Sequence, residues 1–488
     1  MKKSFLFLAF GSAALVVLVA FWIFQQSSNK GVFSFQISQL KESVVAFFSK
    51  DGGSDQGSTT PEDLVAKDSL KADPSPAQPR LRKTISAEGH LQYGEQALIQ
   101  NQFEKALAEF SAAALLKPAD PVPLLRLAET QLKLKEFDKA YANLKAAENL
   151  DPASAELFLL QGQLFLREAN FPAARDAFQK SKLALFEQGL LAAFYDELPL
   201  ARELLTPLAD RRASAILSAL DEYKMFPDVP KTYQDALLVR AFNEIEEYEL
   251  ALAKIKPVLA ADVDYRDAWI LLGYAHFALG EHEQARSAFT TAYSLDSTKP
   301  ETQYFLAKTH FALGNFAEAE KFLRSAYANQ LKIPNFINEL SEILIAQGKS
   351  LEAAELLTTN LRQNQKATLT EFEQVILLWL EGVQDGAKAW ELTKSALNRF
   401  PKSPATYNLA GLVSFENNFL PEARSQLQQA LTLDKNFAPA LLNLGKVYEK
   451  LGDVQAALKH YEKAFQLASE DKTKVEAARL YNTLLEKS

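Results

Sequence analysis

Residues 438–471 read APALLNLGKVYEKLGDVQAALKHYEKAFQLASED, and two apolar patterns at helical spacing lie inside them. Leu441, Leu444, Val447, Tyr448 and Leu451 form the first, and Ala457, Leu458, Tyr461, Ala464 and Phe465 the second. Apolar residues three and four apart put one stripe on each helix. Gly452-Asp453 separates them, and glycine tolerates the left-handed backbone of a helix end. Gly445 and Ala457 sit where each stripe meets the other helix, and their small side chains allow close approach. The expectation is a helical hairpin with one apolar face left over for a neighbour.

From Ala87 onward the pattern returns at an interval of 34 residues, the mark of a repeat array. Gly411 and Gly445 keep that interval, as do Ala423 and Ala457, and Ala430 and Ala464. Gly280, Gly314 and Gly348 mark the turn of three consecutive units, with Ala285, Ala319 and Ala353 five residues later. Ala106 and Ala140, Ala113 and Ala147, and Pro118 and Pro152 extend the register toward the start. The units read 87–120, 121–154, 155–188, 232–265, 266–299, 300–333, 334–367, 370–403, 404–437 and 438–471.

This interval and residue set resemble the tetratricopeptide repeat (TPR). Units 121–154, 266–299 and 438–471 match best, the second through Trp269, Leu272, Gly273, Gly280, Ala285, Phe289 and Ala292. The resemblance implies an all-α fold, a superhelical solenoid of about ten helix–turn–helix repeats. It also implies that the first helix of each unit lines a concave, protein-binding groove. By alignment, Ile270, Tyr274, Phe277, Tyr304, Lys308 and Phe311 fall on that surface, as anchors for a peptide or helix or as packing between repeats.

The flanks read differently. Residues 1–4 form a short basic terminus, and Phe5 to Phe24 is an uncharged apolar run. Twenty helical residues span about 30 Å, the thickness of a bilayer core. Lys2 and Lys3 place the terminus in the cytoplasm and the rest across the membrane. The run lacks a small-residue cleavage pair, which favours a transmembrane signal anchor over a cleaved signal peptide. Residues 25–86 follow as an amphipathic segment and flexible linker. Phe33, Ile37, Leu40, Val44, Phe47 and Phe48 recur at helical intervals, as a membrane-surface helix or as a short helix that extends the membrane segment or packs on the body. Gly, Ser, Asp and Pro then dominate 51–83, a composition unable to bury a core.

Within the body, Pro199, Pro207, Pro227 and Pro230 interrupt 189–231, which reads as a degenerate repeat or insertion dividing units 1–3 (87–188) from units 4–10 (232–471). It is a bend, a hinge or a partner contact. Residues 472–488 read as a capping helix over the last apolar face.

Charge and chemistry narrow the function. The net charge is -8, and residues 1–86 hold ten Lys/Arg against seven Asp/Glu, leaving -11 on the rest. Such an acidic body argues against nucleic acid, whose affinity depends on phosphate neutralisation. No cysteine occurs, which removes disulfides, thiolate catalysis and Cys-ligated zinc. Gly348-Lys349-Ser350 lacks the earlier glycine and the strand of a phosphate-binding loop, because Ile343 stands where that glycine belongs. His276 and His310, 34 apart, read as packing residues near His282 rather than metal ligands. Repeats, anchor, linker and cap leave no stretch for a catalytic domain. The expectation is therefore a non-enzyme without catalytic residues, metal, cofactor or small-molecule substrate. It is a membrane-tethered scaffold binding other proteins in a bacterial envelope assembly of pilus, motility, secretion or polysaccharide-export type. It would sit single-pass in the inner membrane, with its repeats on the periplasmic or extracellular side. The alternatives are an accessory subunit of an envelope enzyme and a soluble secreted peptide carrier.

Overall fold

A computed structural model describes residues 85–225, 229–469 and 472–487. The anchor at 5–24, the amphipathic stretch at 33–48 and the linker to Lys83 lie outside the described residues. Among the described residues no helix is long and apolar enough to cross a membrane. All regular structure among them is helical, and the chain divides into two compact units, ending and beginning at Ser297 and Thr298.

The first unit opens with three hairpins: α1 (Ala87–Ile99) and α2 (Phe103–Leu116), α3 (Val122–Lys133) and α4 (Phe137–Leu150), α5 (Ala155–Arg167) and α6 (Phe171–Lys180). A shorter pair, α7 (Leu185–Phe194) and α8 (Leu198–Leu205), and a lone helix, α9 (Arg211–Met225), follow. Two full hairpins close the unit: α10 (Lys231–Glu244) with α11 (Tyr248–Ala261), and α12 (Arg266–Ala278) with α13 (His282–Leu295). The second unit holds α14 (Pro300–Ala312) and α15 (Phe316–Ala328), α16 (Phe336–Ala346) and α17 (Ser350–Gln363), then α18 (Leu369–Leu377) and α19 (Gly386–Arg399). It ends with α20 (Pro404–Glu416) and α21 (Leu420–Leu433), α22 (Ala438–Lys450) and α23 (Val454–Leu467), and a single α24 (Lys472–Lys487).

The two helices of a hairpin meet at one recurring contact. A Cβ on Gly162 would fall 2.3 Å from the Phe178 ring, and one on Gly445 would fall 2.5 Å from Tyr461. Gly94 and Gly273 stand against Phe110 and Phe289 in the same way. Each ring is fully buried, worth roughly 2–3 kcal/mol by area removed from water. The glycine is what lets the ring in.

The turn between helices sets the register. Asn101, Lys135 and Ala169 have positive φ at a spacing of 34, and so do Glu246, Gly280, Gly314 and Gly348, and Gln384, Asn418 and Gly452. The phase slips twice. Among the described residues between Ala169 and Glu246 only Asp196 intervenes, and the interval from Gly348 to Gln384 is 36. The first slip covers the short α7–α8 pair and lone α9. The second coincides with a π-helical turn, Leu378–Gly382, that ends α18. An extra residue inside a helix is commonly absorbed in that way, and here the buried Trp379 Nε1 donates to Thr358 Oγ1 at 2.8 Å.

The stretch at 189–231, read from sequence as a degenerate repeat or insertion, contributes side chains to the apolar cluster of the first unit. Leu190, Leu191, Leu205 and Ile216 pack in the same apolar cluster as Leu166, Leu237 and Phe242. A buried ammonium reinforces this: Lys254 Nζ donates to the Phe194 carbonyl at 2.9 Å and to Asp196 at 2.5 Å, with Asp235 at 3.2 Å. In the second unit α24 covers the last hairpin, burying Ala477 and Leu484 in one cluster with Leu441, Leu442 and Tyr461.

Candidate partner-binding surfaces

Shortening α6, α7 and α8 to 10, 10 and 8 residues bends the first unit on itself. The end of α5 thereby meets the α10–α11 turn, 82 residues on, where Arg167 pairs with Glu249 at 2.8 Å and with Glu247 at 2.9 Å. A half-open concavity of about 1780 Å³ lies here. Leu132, Leu159, Phe171, Leu252 and Leu279 contribute apolar surface to it.

Charged side chains frame this floor, mostly paired with one another. Arg126 reaches Glu156, Glu129 at 3.4 Å and Glu95 at 3.6 Å. Glu247 is only 3% exposed and lies between Arg167 and Arg212. Burial pushes its carboxyl upward, opposed by the two guanidinium groups. Burial likewise raises Glu187, which also lines the concavity. With eight glutamates and seven Lys/Arg around it, the lining is close to neutral and selects for an occupant of low charge.

Comparison with known proteins matches this architecture to one family. A tetratricopeptide-repeat model matches residues 237–300, another 280–330, a third 411–452, and a fourth 438–471, the hairpin that defines the period. The chain belongs to the tetratricopeptide-repeat family. A curated relative, the uncharacterized protein ycf37 of Pyropia yezoensis, is 36% identical over 67 residues. That match covers 14% of this chain and 38% of the relative's length. Among solved structures, the C-terminal part of a TPR repeat-containing protein from Cytophaga hutchinsonii is 12% identical, with a TM-score of 0.39 over 50% of this chain and 98% of that one. Yeast Tom70 is 16% identical, with a TM-score of 0.28 over 82% of this chain and 96% of its own.

The residues expected along this TPR protein's groove divide between the two units. In the first, Ile270 is 1% exposed and belongs to the packed interior. Tyr274 is half-buried, its ring 6.3 Å from Tyr248, and burial pushes its hydroxyl up to about 12. Phe277 is half-buried beside the His282 ring at 5.2 Å. In the second unit, Tyr304 is fully buried and donates through Oη to Glu339 Oε1 at 2.8 Å. Lys308 stands 3.9 Å from the same Glu339 oxygen, and Phe311 packs on Phe316 at 5.6 Å. Burial pushes neighbouring Glu342 up to about 7, with Glu339 adding to the shift and Lys308 opposing it.

Of the histidines, His276 Nδ1 lies 2.5 Å from Glu281, while His310 stacks on Phe322 at 5.5 Å. Asn443 donates to Asn408 at 2.9 Å, and Lys446 pairs with Glu476 of α24 at 3.4 Å. The concavity of the first unit escaped the sequence reading, which placed the groove by repeat position. The signal available was the loss of 34-residue register after Ala169.

Proposed function

We propose that this protein is a scaffold that holds a helical or extended segment of a partner protein in the concavity of its first unit. The observation that carries this reading is the half-open concavity of about 1780 Å³, with apolar side chains in its lining and self-paired charges around them. Exposed apolar surface framed by polar groups is what a partner's side chains seek. The partly exposed Tyr274, Phe277, Lys308 and Phe311 offer further contacts along the repeats.

The apolar run from Phe5 to Phe24 and the preceding Lys2 and Lys3 support a tether in a bacterial inner membrane, with the repeats outside the cytoplasm. A pilus, motility, secretion or polysaccharide-export assembly is the setting such a tethered scaffold suits. Crosslinked pull-down from native membranes tests the groove. Leu159→Glu with Leu252→Glu should abolish capture of the partner while leaving helical content intact, and unchanged capture would refute it. N-terminal sequencing of the membrane fraction tests the tether, because a mature chain beginning near Gln25 would overturn it.

A further inference from the structure

Charge is not spread evenly around the concavity of the first unit. α3 packs on α5, the end of α5 meets α11 through Arg167 and Glu249, and α11 packs on α12. α3 and α12 therefore stand at opposite ends of the row that lines it. The α3 end contributes Arg126, Lys133 and Lys135 against Glu129, a net +2. The far end, from α10 to α12, contributes Glu244, Glu246 and Glu281 against Lys256, a net -2. Between the ends, Glu247 and Glu249 hold Arg167, and Glu247 also holds Arg212, so the middle is satisfied internally.

The end charges are less engaged. Among the described residues the side chains of Lys135 and Glu244 make no ion pair, and Lys133 stands 4.0 Å from Glu129. The apolar side chains follow the same row, from Leu132 of α3 through Leu159 and Leu252 to Leu279 just past α12.

An apolar strip with opposite charge at its two ends fits an amphipathic helix whose own ends are oppositely charged. Helices favour Asp and Glu in the first turn and Lys and Arg in the last, because peptide dipoles sum along the axis. An extended segment has no such bias. Four turns, about 15 residues, make a cylinder about 22 Å long and about 10 Å across, roughly 1,700 Å³. The concavity measures about 1780 Å³.

We propose that the occupant is an amphipathic helix of a partner protein, its acidic N-terminal turn beside Lys133 and Lys135 and its basic C-terminal turn beside Glu244 and Glu246. This rests on reading the concavity as the partner groove. With the lining near neutral as a whole, the partner is selected by where its charges stand, which fixes the direction in which it lies.

Two synthetic helices test this on the full-length protein. Both are fluorescent peptides of about 15 residues, with one composition and leucines along one face. One carries glutamates in its first turn and lysines in its last, and the other mixes them at both ends. The segregated peptide should bind at least tenfold more tightly than the mixed one at low salt. At about 0.5 M salt the gap should close, because the Debye length falls to about 4 Å. Equal affinity at low salt would overturn the proposal.

A benzophenone on the N-terminus of the segregated peptide should crosslink to α3 in wild type. In Lys133→Glu/Lys135→Glu/Glu244→Lys/Glu246→Lys protein the crosslinks should move to α10–α12, and crosslinks that stay at α3 would overturn the proposal too. Leu159→Glu separates the two readings. If the peptides bind equally and this substitution removes both, the charge assignment falls and the groove stands. If neither peptide binds wild type, or Leu159→Glu changes nothing, the groove falls and the assignment with it.

Discussion

Arg167 at the end of α5 and Glu249 at the start of α11 lie 82 residues apart in sequence and 2.8 Å apart in space. The same guanidinium holds Glu247, which is almost wholly buried. Removing one partner of a buried pair leaves the other desolvated without compensation, a loss of about 3–5 kcal/mol when nothing else remains. Arg212 still faces Glu247, which reduces the loss. Arg167→Met should therefore destabilise the first unit by roughly 2 kcal/mol, measured by urea denaturation. Arg167→Met/Glu247→Gln should recover part of it, because the neutral amide no longer needs a cation.

Lys254 bears on whether 189–231 is a hinge. Its ammonium joins the end of α7 to α10 through Phe194, Asp196 and Asp235. Lys254→Met keeps the apolar stem and deletes the three contacts. Amide exchange in α8 and α9 should accelerate at least tenfold while α3–α5 stay protected, since local opening follows local stability. Unchanged exchange would mean that the apolar cluster alone holds the segment.

Glu342 gives the second unit a pH dependence. Its folded value is about 7 against an ordinary 4.5. A raised value means that the folded state binds the proton more tightly. The stabilisation is therefore complete below about pH 4.5 and is lost as pH rises through 7. Glu342→Gln should raise stability by roughly 1–2 kcal/mol at pH 8 and change it little at pH 4.5. Thermal melts of both proteins at the two pH values decide this, and a mutant that follows the wild-type pH profile would contradict it.

How much of this was legible in the sequence depends on the residue. Gly280, Gly314, Gly348 and Gly452 announce their turns because φ near +80° there favours glycine. Lys135, Glu246 and Gln384 hold the same left-handed geometry with no signal of residue type, and only the period locates them. The contact of Arg167 with Glu249 left no mark, since it depends on how far α6–α8 shorten. Pro199 and Pro207 hint that helices break there but not by how much. Ile270 and Tyr304 occupy groove positions by alignment, yet they are buried. For Tyr304 the reason is Glu339, which accepts its hydroxyl and supplies the polar partner a buried tyrosine needs.

Glycines of the last hairpin separate two causes of a single cost. Gly452 has φ +82 and open space where a Cβ would go. Gly452→Ala should lose about 1 kcal/mol through backbone strain alone. Gly445 has ordinary helical backbone, but a Cβ there would fall 2.5 Å from the Tyr461 ring. Gly445→Ala should lose about 1–3 kcal/mol through overpacking. A second substitution distinguishes them. Tyr461→Leu makes room at the contact, so the cost of adding Gly445→Ala should shrink in that background, whereas the cost of adding Gly452→Ala should not change. The converse substitution belongs to the same experiment. Gln384, at φ +62, should gain up to about 1 kcal/mol on becoming glycine, since the strain it removes exceeds the added freedom of the unfolded chain. If Gln384→Gly instead destabilises the second unit, the side chain and not the backbone governs that turn.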